Sequence, residues 1–163
     1  MLKLKQMELV KLTTSIAVCL FAGGIGYIYT MESIQTWYVT LEKPVFTPPD
    51  SVFGPVWTIL YVLMGIAAFL VWRKGSKRRE VRIALVIFLA QLILNVLWSV
   101  VFFGFRSPHN GVQVIIALWV MILLSLIMFF KISRTSGLLM LPYLLWVSFA
   151  AILNVSIWAL QFS

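Results

Sequence analysis

Uncharged apolar windows recur five times along the chain, at residues 12–29, 52–72, 83–103, 112–130 and 138–161. Each reaches or exceeds the roughly 18 to 20 residues that a helix rising about 1.5 Å per residue needs to cross about 30 Å of hydrocarbon. In lipid a spanning segment must satisfy its backbone hydrogen bonds internally, so windows of this length imply helices. The expected fold is an all-α integral membrane protein, a bundle of five transmembrane helices forming a single domain over residues 1–163. The composition excludes the soluble alternative. With 62% hydrophobic and 11% charged residues and a mean hydropathy of +1.02, there is too little polar surface to face water.

Lys3, Lys5 and Lys11 before the first window also suggest a secretory signal. Its apolar core is longer than the usual signal core, and no small-x-small cleavage site follows before Met31 and Glu32, so this helix is expected to be retained. Basic residues then set the orientation. Lys3, Lys5 and Lys11, the group Arg73, Lys74, Lys77, Arg78, Arg79 and Arg82, and the pair Lys131 and Arg134 all fall on one side of the membrane; Lys43 and Arg106 fall on the other. The N-terminus is therefore expected in the cytoplasm and the C-terminus outside, in a prokaryotic plasma membrane. The net charge of +8 is mostly this signal, together with attraction to anionic lipid. Without aromatic interleaving or a nucleic-acid-binding fold, the basic run at 72–82 gives no reason to expect nucleic acid as a partner. Cys19 and His109 are each the sole residue of their type, so no internal disulfide can form and no Cys/His metal cluster is expected.

The connection over residues 32–51 is long and contains Pro44, Pro48 and Pro49, which fix φ and remove amide donors. It is expected to be a shaped lid on the outer face, carrying Trp37, Tyr38, Lys43, Pro44, Pro48 and Pro49. Trp37 and Tyr38 also fit an interfacial aromatic belt. Glu42 and Asp50 have no paired carboxylate in sequence, which gives little support to acid/base chemistry.

Helical spacing picks out the inward faces. In the first helix Ala22 and Gly26 allow another helix, or a ligand, to approach the backbone closely. In the second, Trp57, Tyr61, Met64 and Ala68 share a face, and the indole and phenol make a flat wall suited to a planar aromatic ligand. Gln91, Asn95, Trp98 and Phe102 share a face of the third; their amides are expected to bond either another helix or a ligand. The fourth, uniformly apolar apart from Trp119, reads as lipid-facing scaffold. In the fifth, Trp146, Ala150, Leu153 and Asn154 share a face, and Pro142 is placed near the start of the segment, where a lost backbone bond costs least.

Four ordered motifs, WYVTLEKPVFTPP, FGPVWTILYVLMG, QLILNVLWSVVFFG and LPYLLWVSFAAILN, together resemble the TspO/MBR family of tryptophan-rich sensory and translocator proteins. The resemblance covers nearly the whole chain. It implies a five-helix bundle, often a homodimer, with a pocket near the lid for porphyrins and related tetrapyrroles, held as ligand rather than as a fixed cofactor. Carried over position by position, that pocket takes Trp57, Asn95, Trp98, Trp146, Ala150, Leu153 and Asn154, with transport or sensing as the function. A light-dependent breakdown of porphyrin would use Trp57 and Trp146 as redox partners. Sterol binding, implied by animal members, is weakened by Val155 and Ser156 near the end of the fifth helix and by the lack of any Lys or Arg after Arg134. No nucleophile or general base stands out for hydrolytic or transfer chemistry.

Overall fold

A computed structural model describes residues 2–161, with side chains from residue 5 onward, so the side chain of Lys3 lies outside the described set. Its elements are α1 (Leu2–Thr36), a 3₁₀ turn (Tyr38–Thr40), α2 (Asp50–Trp72), α3 (Arg79–Ser99), a π turn (Val100–Gly104), α4 (Pro108–Ile132) and α5 (Arg134–Leu160). Among the described residues, five helices are long and apolar enough to cross a membrane, and no strand occurs. This is an all-α integral membrane bundle.

The elements run past the apolar windows because charge does not end a helix. α1 extends beyond 12–29 at both ends: its first turns contain good helix formers such as Gln6, Met7 and Glu8, and its last turns include Thr30 and Thr36, whose hydroxyls donate to the carbonyls of Gly26 and Glu32. The lid is shorter than 32–51 in consequence, since the helix runs to Thr36 and α2 starts at Asp50. That carboxylate sits in the first turn, where the helix dipole favours negative charge.

α4 and α5 are joined through Ser133 alone, whose Oγ accepts from the Ser136 amide and caps α5. So tight a reversal presses α5 onto α4. A Cβ at Gly137 would fall 2.7 Å from the Phe130 Cα, so only glycine fits there. Pro142 consequently lies in the interior of α5, not near its start.

α4 is also more than lipid-facing scaffold. Gly111, Ile115, Leu118, Ile122, Ser125 and Phe129, alternating in steps of four and three, form a buried seam against α3 and α5. The Trp119 indole donates to Ser148 Oγ at 2.7 Å. On the opposite side, α1 packs on α2 so closely that a Cβ at Gly65 would lie 2.6 Å from the Ile16 Cα. In lipid, where apolar burial distinguishes helix from hydrocarbon only weakly, such backbone approach is a main source of association.

Basic residues gather at the end of the bundle opposite the lid. There Arg73 pairs with Glu8 at 3.4 Å and Lys11 lies over the Trp72 ring. Both partners of that ion pair are substantially exposed, so it contributes little to stability.

Candidate functional site

A cavity of about 270 Å³ opens between α1, α2 and the end of α3, toward the lid end of the bundle, where Ile34 and Asp50 flank it. One side is backbone. Gly23 and Gly26 bring α1 so near that added Cβ atoms would meet the Tyr61 ring at 2.5 Å and Ser99 Oγ at 3.0 Å. The wall beside that contact is aromatic. Trp57 stacks on Tyr61 with centroids 5.7 Å apart and lies 6.4 Å from Trp98, which stacks in turn on Phe102 at 5.5 Å. Phe53, one turn before Trp57, and Phe103 complete the wall.

Buried hydrogen bonds hold this wall in place. The Tyr61 hydroxyl donates to Asn95 Oδ1, Asn95 Nδ2 donates to the Tyr143 hydroxyl at 3.0 Å, and that hydroxyl donates to Gln91 Oε1 at 3.0 Å. The chain ties α2, α3 and α5 together. A second one joins α3, α5 and the start of α4: the Trp98 indole donates to Asn154 Oδ1 at 3.1 Å, and Asn154 Nδ2 donates to the Pro108 carbonyl at 2.9 Å. Unpaired polar groups are costly in hydrocarbon, so each amide meeting a partner on another helix is the stable arrangement.

The structure thus divides the residues singled out in the sequence. Trp57, Tyr61 and Trp98 line the cavity. Asn95 and Asn154 lie directly behind it, their amides engaged with other helices. Ala150 and Leu153 are buried in the core and do not line the cavity. Trp146 lines an apolar groove between α2 and α5, edge-on to Phe53 at 6.1 Å; its buried indole N–H has no hydrogen-bond partner among the described residues.

Sequence reasoning passed over Phe53, Thr58, Ser99 and Phe103, which line the cavity, and Tyr143, the hub of the network. Phe53 sits four residues before Trp57 on the same face, a signal that was available. Tyr143 carries a phenol deep in an apolar helix, and its need for a partner could have flagged it.

The lid is packed rather than slack. Trp37 and Tyr38 lie against Phe102 at 5.7 and 6.4 Å, and Phe46 lies against Phe149 at 6.3 Å. Lys43 Nζ donates to the Tyr38 carbonyl at 2.9 Å and sits over the Tyr38 ring. The Pro44 carbonyl accepts from the Thr47 amide and hydroxyl, while Pro48 and Pro49 lead into α2. Gln161 Nε2, just past α5, donates to the Glu42 carbonyl at 3.2 Å. Burial, followed by the charge of Asp50, pushes the Tyr38 phenol up to about 12.

Fold and cavity define a class: a small five-helix integral membrane protein with an aromatic-walled cavity between its first helices and a packed lid beyond it. Residues 15–159 match the model of the TspO/MBR family, and the chain belongs to that family. It is 44% identical over 155 residues to the tryptophan-rich protein TspO of Archaeoglobus fulgidus, covering 95% of this chain and 99% of that one. It is 38% identical over 119 residues to the tryptophan-rich sensory protein of Cereibacter sphaeroides, 72% of each chain. To the translocator protein of Bos taurus it is 31% identical over 137 residues, 83% of this chain and 81% of the relative.

Proposed function

We propose that this TspO/MBR family member binds a planar amphipathic ligand of the porphyrin or tetrapyrrole type in the cavity toward the lid end of the bundle, for transport or sensing. The observation that carries this reading is the aromatic wall of Phe53, Trp57, Tyr61 and Trp98 along a cavity whose open edge lies at Gly24 and Gly54, where no side chain intrudes. Gly23 and Gly26 already pack on Tyr61 and Ser99, so the space for a ligand lies beside those contacts, where an aromatic wall favours a flat ligand. Asn95 and Asn154 act as positioning residues, holding Tyr61 and Trp98 through their side chains. The relatives named for translocation and for sensing support a function built on binding.

At about 270 Å³ the cavity falls just below the roughly 300 to 1,000 Å³ usual for small-molecule sites. A tetrapyrrole enters by displacing the lid or by parting α1 from α2 beside Gly24 and Gly54, where an added Cβ would meet nothing within 4 Å. Parting the helices there extends the slot toward Phe53 and the Trp146 groove. In the same proposal the chain resides in a prokaryotic plasma membrane with its basic end in the cytoplasm, and pairs as a homodimer as the family resemblance implies.

The test is a titration of detergent-held protein with protoporphyrin in the dark, following tryptophan quenching, with Trp57→Phe and Trp146→Phe as separate variants. Saturable quenching is expected, with affinity reduced about 2- to 12-fold in Trp57→Phe, the equivalent of one aromatic contact of about 0.5 to 1.5 kcal/mol. Quenching that never saturates, or that saturates identically in both variants and the wild type, would remove the tetrapyrrole slot from consideration.

A further inference from the structure

A second cleft, of about 280 Å³, lies where the end of α1 meets the turn between α3 and α4, and it has a different chemistry. It presents two opposite charges that do not pair with each other. Glu32 and Arg106 both line it, yet the ion pairs among the described residues are Glu8 with Arg73 and Glu80 with Arg78.

It also presents an orphaned donor. Ser33 is 3% exposed, lines the cleft, and its hydroxyl has no hydrogen-bond partner among the described residues. The neighbouring hydroxyls of Thr30 and Thr36 do otherwise and bond back to carbonyls one turn earlier. An unpaired buried hydroxyl costs about 1 to 3 kcal/mol, which a bound acceptor would offset.

The turn itself is strained. Arg106 has φ of +53°, the left-handed region, where a side chain larger than glycine costs about 1 kcal/mol or more. The Phe105 amide, donating to the Val100 carbonyl at 2.8 Å, and the Ser107 amide, donating to the Val101 carbonyl at 3.3 Å, hold it there. Depth is set by the sequence. Glu32 stands three residues past the end of an apolar window, about 4.5 Å along α1, and Arg106 lies in the turn just past Gly104, which puts both near headgroup level. Below them Tyr29 and Phe103 make apolar walls, and Phe105 is exposed.

We propose that this cleft binds the headgroup of a phospholipid that carries a primary ammonium beside its phosphodiester. The Arg106 guanidinium donates to phosphate oxygens, Glu32 accepts from the ammonium, and the first acyl carbons lie on Tyr29 and Phe105, while a small opening of the cleft lets the Ser33 hydroxyl at its floor donate to the phosphate as well. A quaternary ammonium offers Glu32 no N–H, and a glycerol headgroup offers it no cation. The site therefore discriminates among headgroups by chemistry, not only by charge.

Native mass spectrometry of the intact protein, in detergent containing equal amounts of phosphatidylethanolamine, phosphatidylcholine and phosphatidylglycerol with identical acyl chains, tests this directly. Wild-type protein is expected to retain the ethanolamine lipid about tenfold over the choline lipid. Arg106→Gly suits the backbone, since glycine adopts the same φ without strain, and is expected to lower retention of the ethanolamine lipid about tenfold while the thermal midpoint holds. Glu32→Gln is expected to abolish the preference for ethanolamine over choline, and it carries the test should Arg106→Gly fold poorly. Equal retention of the three lipids by wild-type protein, or a preference untouched by both variants, would overturn the proposal. Soluble O-phosphoethanolamine that displaces the lipid at equal concentration would overturn the lipid as occupant in favour of a free phosphate compound.

Discussion

Gly65 and Gly24 look alike in the sequence, each a glycine inside an apolar helix, and the structure separates them. A Cβ at Gly65 would lie 2.6 Å from the Ile16 Cα and 3.0 Å from its amide nitrogen, both backbone atoms that move only if α1 moves. A Cβ at Gly24 would meet nothing within 4 Å. Gly65→Ala is therefore expected to destabilise the bundle by about 1 to 3 kcal/mol, as overpacking does. Gly24→Ala is expected to be neutral or to stabilise by up to about 1 kcal/mol, because alanine is the better helix former. Thermal melts of the two variants in detergent distinguish them, and equal midpoints would contradict the close α1–α2 approach. The sequence disclosed such residues only in part. Helical period shows which face Asn95 and Asn154 occupy, but not what they touch, because their partners come from distant elements: Tyr143 for Asn95, Trp98 and the Pro108 carbonyl for Asn154. Both alternatives, helix or ligand, stayed open until the partners were known.

At the scale of elements, five helices were legible because hydrocarbon thickness fixes a minimum apolar length. Their ends were not, because α1 continues through charged turns and α4 and α5 meet across Ser133 alone. The lid was legible as an element from its prolines. Its latches were not, since Phe46 against Phe149 and Gln161 on the Glu42 carbonyl join segments over a hundred residues apart. The lid also contains a titrating group. Tyr38 is buried, and its phenol is pushed up to about 12 from an ordinary value of about 10. An acid with a raised folded-state pKa favours its neutral form in the folded state. Its contribution to lid stability is thus full below about pH 10 and lost as pH rises through about 12. Lysines also lose charge over that range, so the informative quantity is the difference between wild type and Tyr38→Phe, which keeps the ring packing on Phe102 and Phe103. Protease cleavage within the lid, followed from pH 8 to 12, is expected to rise more steeply in the wild type. Parallel curves would show that Tyr38 ionisation does not open the lid.

For the whole molecule, five spans among the described residues put successive connections on alternate faces of the membrane, so one measured loop fixes every other. The link after α2 carries Arg73, Lys74, Lys77 and Arg78, whereas the lid carries Lys43. Translocating the basic link would cost far more than translocating the lid, and the positive-inside bias follows from that difference. The cavity proposed to take a tetrapyrrole lies toward the lid end of the bundle, so orientation decides from which side of the membrane a ligand reaches it. Two single-cysteine probes read it: Val45→Cys in the lid, where the native side chain is fully exposed, and Ser76→Cys in the basic link, also exposed. The native Cys19 is fully buried in α1 and is expected not to react. With a membrane-impermeant maleimide on intact bacterial spheroplasts, Val45→Cys is expected to label and Ser76→Cys to label only after lysis. The opposite pattern would invert the bundle and turn the slot toward the cytoplasm. Labelling of both in intact cells would indicate mixed insertion, and the basic asymmetry would then be too weak to set the topology alone.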